Sequence, residues 1–159
     1  MNKLTRGCLI AALYIVLTVL LHPISYYAFQ IRVSEALTLL PFFYPEAIWG
    51  LFAGCLISNI FGGLGFYDIF FGSLITLFAA LLTYLLSKTK KLFLAPIPPI
   101  ILNSFGVSAY LYFLIEPPPI PLKIHPYFLF VISIFIGETI ATFFIGLPLL
   151  YFLKKRFKL

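Results

Sequence analysis

The chain has 159 residues, of which 62% are hydrophobic and only 10% charged, where soluble domains carry about 25% charge. A soluble fold of this length cannot hide so much apolar surface from water, so the composition excludes an ordinary soluble domain and points to an integral membrane protein, a single domain over residues 1–159. The net charge of +6 does not indicate nucleic acid, because the basic residues sit at the ends of apolar runs, where they act as topology signals.

The first apolar run, about 7–22, is long enough to cross a hydrocarbon core of about 30 Å. Leu21, His22 and Pro23 follow it in place of a small-residue cleavage site, so it reads as a mature helix rather than a signal peptide. The stretch 34–61 is harder. As one helix its 28 residues would reach about 42 Å and would place Pro41, Pro45 and Glu46 near the bilayer centre. Proline followed by an acidic residue is instead a helix-start signal, with the positive dipole end facing Glu46. The stretch therefore divides into a short helix, about 34–43, and a second, about 46–61. The short one has to be tilted, partly re-entrant, or shielded by its neighbours. Three further runs, about 67–87, 92–115 and 126–153, complete an all-α bundle of six transmembrane helices. The segment Glu116-Pro-Pro-Pro-Ile-Pro joins the last two as a stiff, extended loop.

With both termini cytoplasmic, nine cations fall inside (Lys3, Arg6, Lys88, Lys90, Lys91, Lys154, Lys155, Arg156, Lys158) and only Arg32 and Lys123 outside. A five-span chain with its N-terminus outside divides eight against three, so helix length and the prolines decide the count rather than charge. Cys8 and Cys55 both lie in apolar runs, which argues against a disulfide scaffold. The chain carries no HExxH, GxSxG or GxxxxGK[ST] motif. An enzyme, and an ATPase in particular, is not expected, and neither is a cofactor. His22 and His125 lack a third ligand for a metal and read as interfacial side chains.

Polar groups inside the apolar runs carry the chemistry, since an ionised side chain at a helix centre costs about 2.5–3.5 kcal/mol on translocon scales. Glu138 lies about 12 residues into the last helix, roughly 18 Å from its outer end, with no cation within two turns. Asn103 is similarly deep. Arg32, Glu35, Asn59 and Asp68 lie near outer helix ends, and the six together would line a vestibule open to the outside. Simpler roles exist for most of them. Arg32 and Glu35 fit a local ion pair, Asn59 a helix C-cap, Asp68 an N-cap and Asn103 an interhelical hydrogen bond. Phe66, Tyr67 and Phe105 are the nearby candidates for a stacking surface. On the first helix Gly7 with Ala11, and Cys8 with Ala12, form small-residue pairs at the cytoplasmic end, where a membrane partner could dock. An ion-coupled secondary carrier using Glu138 is also compatible with these residues, and transport without any ATPase partner would distinguish it.

The run Gln30-Ile-Arg-Val-Ser-Glu-Ala-Leu-Thr-Leu-Leu-Pro41 resembles the signature of the QueT family. So do Gly50-Leu-Phe-Ala-Gly-Cys-Leu-Ile-Ser-Asn59, Gly72-Ser-Leu-Ile-Thr76, Gly137-Glu138 and Gly146-Leu-Pro-Leu149. These are substrate-binding (S) components of energy-coupling-factor (ECF) importers, assigned to queuosine precursors. The resemblance implies an S-component-like bundle in the cell membrane with a pocket on its outer side. It also implies a transmembrane coupling subunit and two ATPase subunits as partners. The family's AxxxA pair on the first helix appears here as Cys8-xxx-Ala12 beside Gly7-xxx-Ala11, which leaves the docking face open.

Overall fold

Backbone groups in an apolar medium must be satisfied within their own segment, and the described residues are helical with no strand among them. This is a computed structural model describing residues 2–25 and 31–158; Gln30, the first residue of the longest motif, lies outside them. The main elements are α1 (Lys3–Leu20), a central 3₁₀ helix (Val33–Phe42), α2 (Ala47–Gly62), α3 (Asp68–Thr89), α4 (Leu92–Leu114) and α5 (Pro126–Phe157). The helices α1, α3, α4 and α5 are long and apolar enough to cross a membrane, while the other two are shorter apolar helices. The chain is a multi-pass membrane protein.

Local chemistry sets most of the ends. The Asn2 side chain accepts from the Thr5 backbone N–H at 2.7 Å and starts α1 four residues earlier than its apolar run. The break before α2 falls where Pro45 and Glu46 place it, and Glu46 pairs with Arg6 at 2.5 Å, tying the start of α2 to the start of α1. Gly63, at φ 71°, ends α2 in the left-handed conformation. Lys154, Lys155 and Arg156 fill the last turn of α5, where cations meet the negative end of the dipole, and the helix runs on past 153 to Phe157.

The short second helix is shielded by its neighbours. Every residue from Ser34 to Phe42 is buried. As a 3₁₀ helix its ten residues rise about 20 Å, against about 15 Å for an α-helix of equal length. Runs of 3₁₀ longer than about four residues are uncommon, and surrounding packing has to hold this one. Leu37 and Leu40 pack with Ile10 and Tyr14 of α1 and with Leu51 and Cys55 of α2. Leu39 and Phe42 pack with Leu92 and Ala95 of α4 and with Leu150 of α5. This second cluster gathers the basic ends of α4 and α5 around the end of the 3₁₀ helix.

The helices α1 and α2 run parallel and touch backbone to backbone. A Cβ at Gly50 would collide with the Gly7 carbonyl oxygen, and one at Gly54 would stand 3.1 Å from that of Ala11. Gly7 and Ala11 thus form the side of α1 that meets α2, whereas Cys8 and Ala12 are exposed. Gly50→Ala is expected to force the two backbones apart and to cost about 1–3 kcal/mol. A thermal melt of the detergent-solubilised variant checks this, and an unchanged Tm would mean the helices do not make this contact.

Candidate functional site

The chain has five acidic residues, and three of them, Glu35, Asp68 and Glu138, are buried in the middle of the bundle with Arg32. The 3₁₀ helix brings Glu35, with Arg32 immediately before it. The start of α3 brings Asp68, the middle of α4 brings Asn103, and α5 brings Glu138. One amide holds the centre together. The Asn103 Nδ2 donates to Glu138 Oε1 at 2.8 Å and to Glu35 Oε2 at 3.2 Å, so a single NH₂ group bridges carboxylates from two other helices. The Tyr14 hydroxyl donates to the other oxygen of Glu35.

A second group lies beside it. The Arg32 guanidinium stands 3.7 Å from Asp68 Oδ1, which also accepts from the Tyr110 hydroxyl at 2.8 Å. Arg32 Nε donates to the Ser25 carbonyl at 3.2 Å, and Asn59 Nδ2 donates to the Asp68 carbonyl at 2.8 Å. Neither simpler helix-end role applies: Gly63 caps α2 rather than Asn59, and the Asp68 carboxylate takes a tyrosine hydroxyl from α4. Asn103 does bridge helices, and it bridges three.

Three acceptors, Asn59 Oδ1, Asp68 Oδ2 and Glu138 Oε2, are buried without a hydrogen-bond partner. An unsatisfied buried acceptor costs about 1–3 kcal/mol, more when charged, so these atoms mark where further donors belong. One arginine against three carboxylates leaves a formal charge of −2 in the cluster when all are ionised. The arrangement is suited to a ligand rich in N–H donors, or to a cation.

Arg32, Glu35, Asn103 and Glu138 line one cavity with Gly72, Thr76, Val107 and Ile134. Its volume is about 10 Å³, room for about one water, where ligand pockets measure about 300–1,000 Å³. The expected open vestibule is therefore closed in this conformation. Small residues permit the closure. A Cβ at Gly72 would come within 2.8 Å of Asn59 Nδ2, and one at Gly146 within 2.9 Å of the Ala36 carbonyl.

The expected stacking surface is also elsewhere. Phe66, Tyr67 and Phe105 are each more than half exposed, and none of them lines the polar cavity. Phe66 stacks on Phe70 and Tyr67 on Phe71, along the outer face of α3. Tyr67, Phe71 and Phe113 wall a separate apolar groove of about 640 Å³ between α3 and α4.

Sequence reasoning missed Tyr14 and Tyr110, the two hydroxyl donors. Both were within reach of a pattern search. Tyr14 and Thr18 stand four apart within the apolar run of α1, and Asn103, Val107 and Tyr110 fall at i, i+4 and i+7. It also missed the π-helical turns at Asp68–Gly72, Asn103–Val107 and Ile140–Gly146, which begin at or just after Asp68, Asn103 and Glu138. Such turns occur often at functional sites. Compared with known proteins, the model of the QueT transporter family matches residues 4–155, nearly the whole chain. No curated protein and no solved structure matches.

Proposed function

The chain belongs to the QueT transporter family, and we propose that it is the substrate-binding subunit of an ECF importer in the cell membrane. In this reading it captures a queuosine precursor from the outer face, a 7-deazaguanine such as 7-aminomethyl-7-deazaguanine or 7-cyano-7-deazaguanine. A transmembrane coupling subunit and two ATPase subunits then drive delivery inward. All six helices cross the bilayer, both termini are cytoplasmic, and the site opens toward the outside when ligand enters.

One observation carries this reading: Glu35 and Glu138 share the amide of Asn103, and Glu138 Oε2 is left unpartnered. The pyrimidine edge of a 7-deazaguanine presents adjacent N–H donors, which a carboxylate accepts in bidentate fashion. Its carbonyl oxygen needs a donor, for which Arg32 or Asn59 serves, since both N–H groups of Asn103 are held by Glu35 and Glu138. A cationic aminomethyl arm suits the second group, where Asp68 Oδ2 lacks a partner. Partner docking follows from α1. Its exposed Cys8, with Gly7 and Ala11, lines a groove of about 380 Å³ walled on the other side by Trp49 and Ala53, into which a helix of the coupling subunit can pack closely, and Ala12 is exposed one turn beyond Cys8.

Two experiments test this. Ala12→Trp adds bulk to an exposed position, so purified protein should bind ligand normally while uptake in cells with the coupling module fails. Loss of binding as well would place Ala12 in the fold or the pocket. Deleting the coupling module should abolish uptake of 7-aminomethyl-7-deazaguanine by cells carrying the wild-type chain. Persisting uptake would favour an ion-coupled carrier, with Glu138, whose Oε2 is unpartnered, as its coupling site.

A further inference from the structure

The Tyr14 side chain is wholly buried, and its hydroxyl donates to Glu35 Oε1 from a helix that lines no part of the cavity itself. The helix α1 is peripheral. Ile10, Tyr14 and Thr18 form its one buried face. Tyr14 and Thr18 alone make its side-chain hydrogen bonds to the 3₁₀ helix among those the structure gives, Thr18 reaching Ser34 at 2.7 Å. Cys8 and Ala12 face away from this contact. One rigid helix thus carries a hydroxyl on a ligand-reading carboxylate and, on another face, the surface assigned to the coupling subunit.

We infer that Tyr14 is a positioning residue that ties the Glu35 carboxylate to the setting of α1, so that ligand occupancy and the exposed Cys8–Ala12 face respond to each other. The inference rests on the binding-subunit reading for its ligand and partner. Glu35 has two oxygens, one held by Tyr14 and the other by Asn103. A ligand donor that takes Glu35 competes with one of them, and any shift on the Tyr14 side moves α1. Linkage makes the effect reciprocal: a partner that shifts α1 alters ligand affinity by the same factor by which ligand alters partner affinity.

The two cysteines supply the measurement, because Cys8 is exposed and Cys55 buried. Cys8 is labelled with a trifluoromethyl thiol reagent in the detergent-solubilised full chain, and its ¹⁹F resonance is followed. Saturating 7-aminomethyl-7-deazaguanine should shift the wild-type signal. Tyr14→Phe should bind about ten-fold more weakly, the effect of one lost hydrogen bond to a charged group, and at saturation its signal should stay still. Thr18→Val, which removes the other contact, should keep the shift. A shift surviving in Tyr14→Phe, or lost in Thr18→Val, would overturn the assignment. So would a wild-type signal that ignores bound ligand. Without ligand, Glu35→Gln should move the Cys8 resonance when Tyr14 is present and leave it unmoved in the Tyr14→Phe background. That arm stands if calorimetry shows no binding of 7-aminomethyl-7-deazaguanine, an outcome that counts against the binding-subunit reading, and equal responses in both backgrounds would overturn the Tyr14 assignment.

Discussion

Glu138→Gln is expected to bind 7-aminomethyl-7-deazaguanine about 30- to 1,000-fold more weakly than the wild type, a loss of about 2–4 kcal/mol. The amide oxygen can still accept from Asn103, as Glu138 Oε1 does at 2.8 Å. The change falls on the other atom. Glu138 Oε2 is buried and unpartnered, and the variant replaces it with an NH₂ group that faces the ligand's own donors. Donor then meets donor in a low-dielectric site, where an unmade hydrogen bond costs most. The fold should survive, because a buried amide costs less than a buried carboxylate. Calorimetric titration alongside a thermal melt checks both parts. Wild-type affinity in a normally folded variant would remove Glu138 from the site.

Asn103→Leu should damage the fold as well as the binding. It keeps the approximate volume but removes the one NH₂ group that Glu35 and Glu138 share. Each carboxylate loses an acceptor's partner at about 1–3 kcal/mol, so the cost to stability is about 2–6 kcal/mol. The two carboxylates are also left with no donor between them. We expect a Tm lowered by several degrees and ligand binding lost. A second substitution, Glu138→Leu in the Asn103→Leu background, should recover part of the Tm by removing one unpaired charge, since an apolar replacement of both partners costs less than breaking the pair. If Asn103→Leu melts like the wild type, the amide bridge is not a structural element of the bundle.

Helix identity was legible because the apolar runs are long and because Pro45 with Glu46 dictates where a new helix must begin. The polar cluster was legible for an energetic reason. Burying Glu35, Asp68, Asn103 and Glu138 is costly, so polar residues in apolar runs had to find each other, and the structure gathers them with Arg32 and Asn59. Their role in binding is the subject of the two substitutions at Glu138 and Asn103. The tyrosines were harder to see, since a tyrosine in a membrane helix fits an interface or lipid-facing position as readily as a buried hydrogen bond. The aromatic residues failed on phase. A π-helical turn inserts residues into the 3.6 repeat and rotates the rest of the helix, and Tyr67 and Phe105 stand beside or within such turns, with their rings outward. The closed cavity depends on Gly72 and Gly146 letting helices approach, a three-dimensional fit that no periodicity encodes.

The central claim is that this chain by itself is a binding subunit, with recognition supplied by its buried carboxylates and energy supplied by other proteins. The most direct test is calorimetric titration of the isolated wild-type chain with 7-aminomethyl-7-deazaguanine, without ATP, partner subunits or an ion gradient, in sodium and in potassium buffers. The account predicts saturable binding of one ligand per chain with the same affinity in both buffers. No saturable binding, or binding that requires sodium, would contradict it.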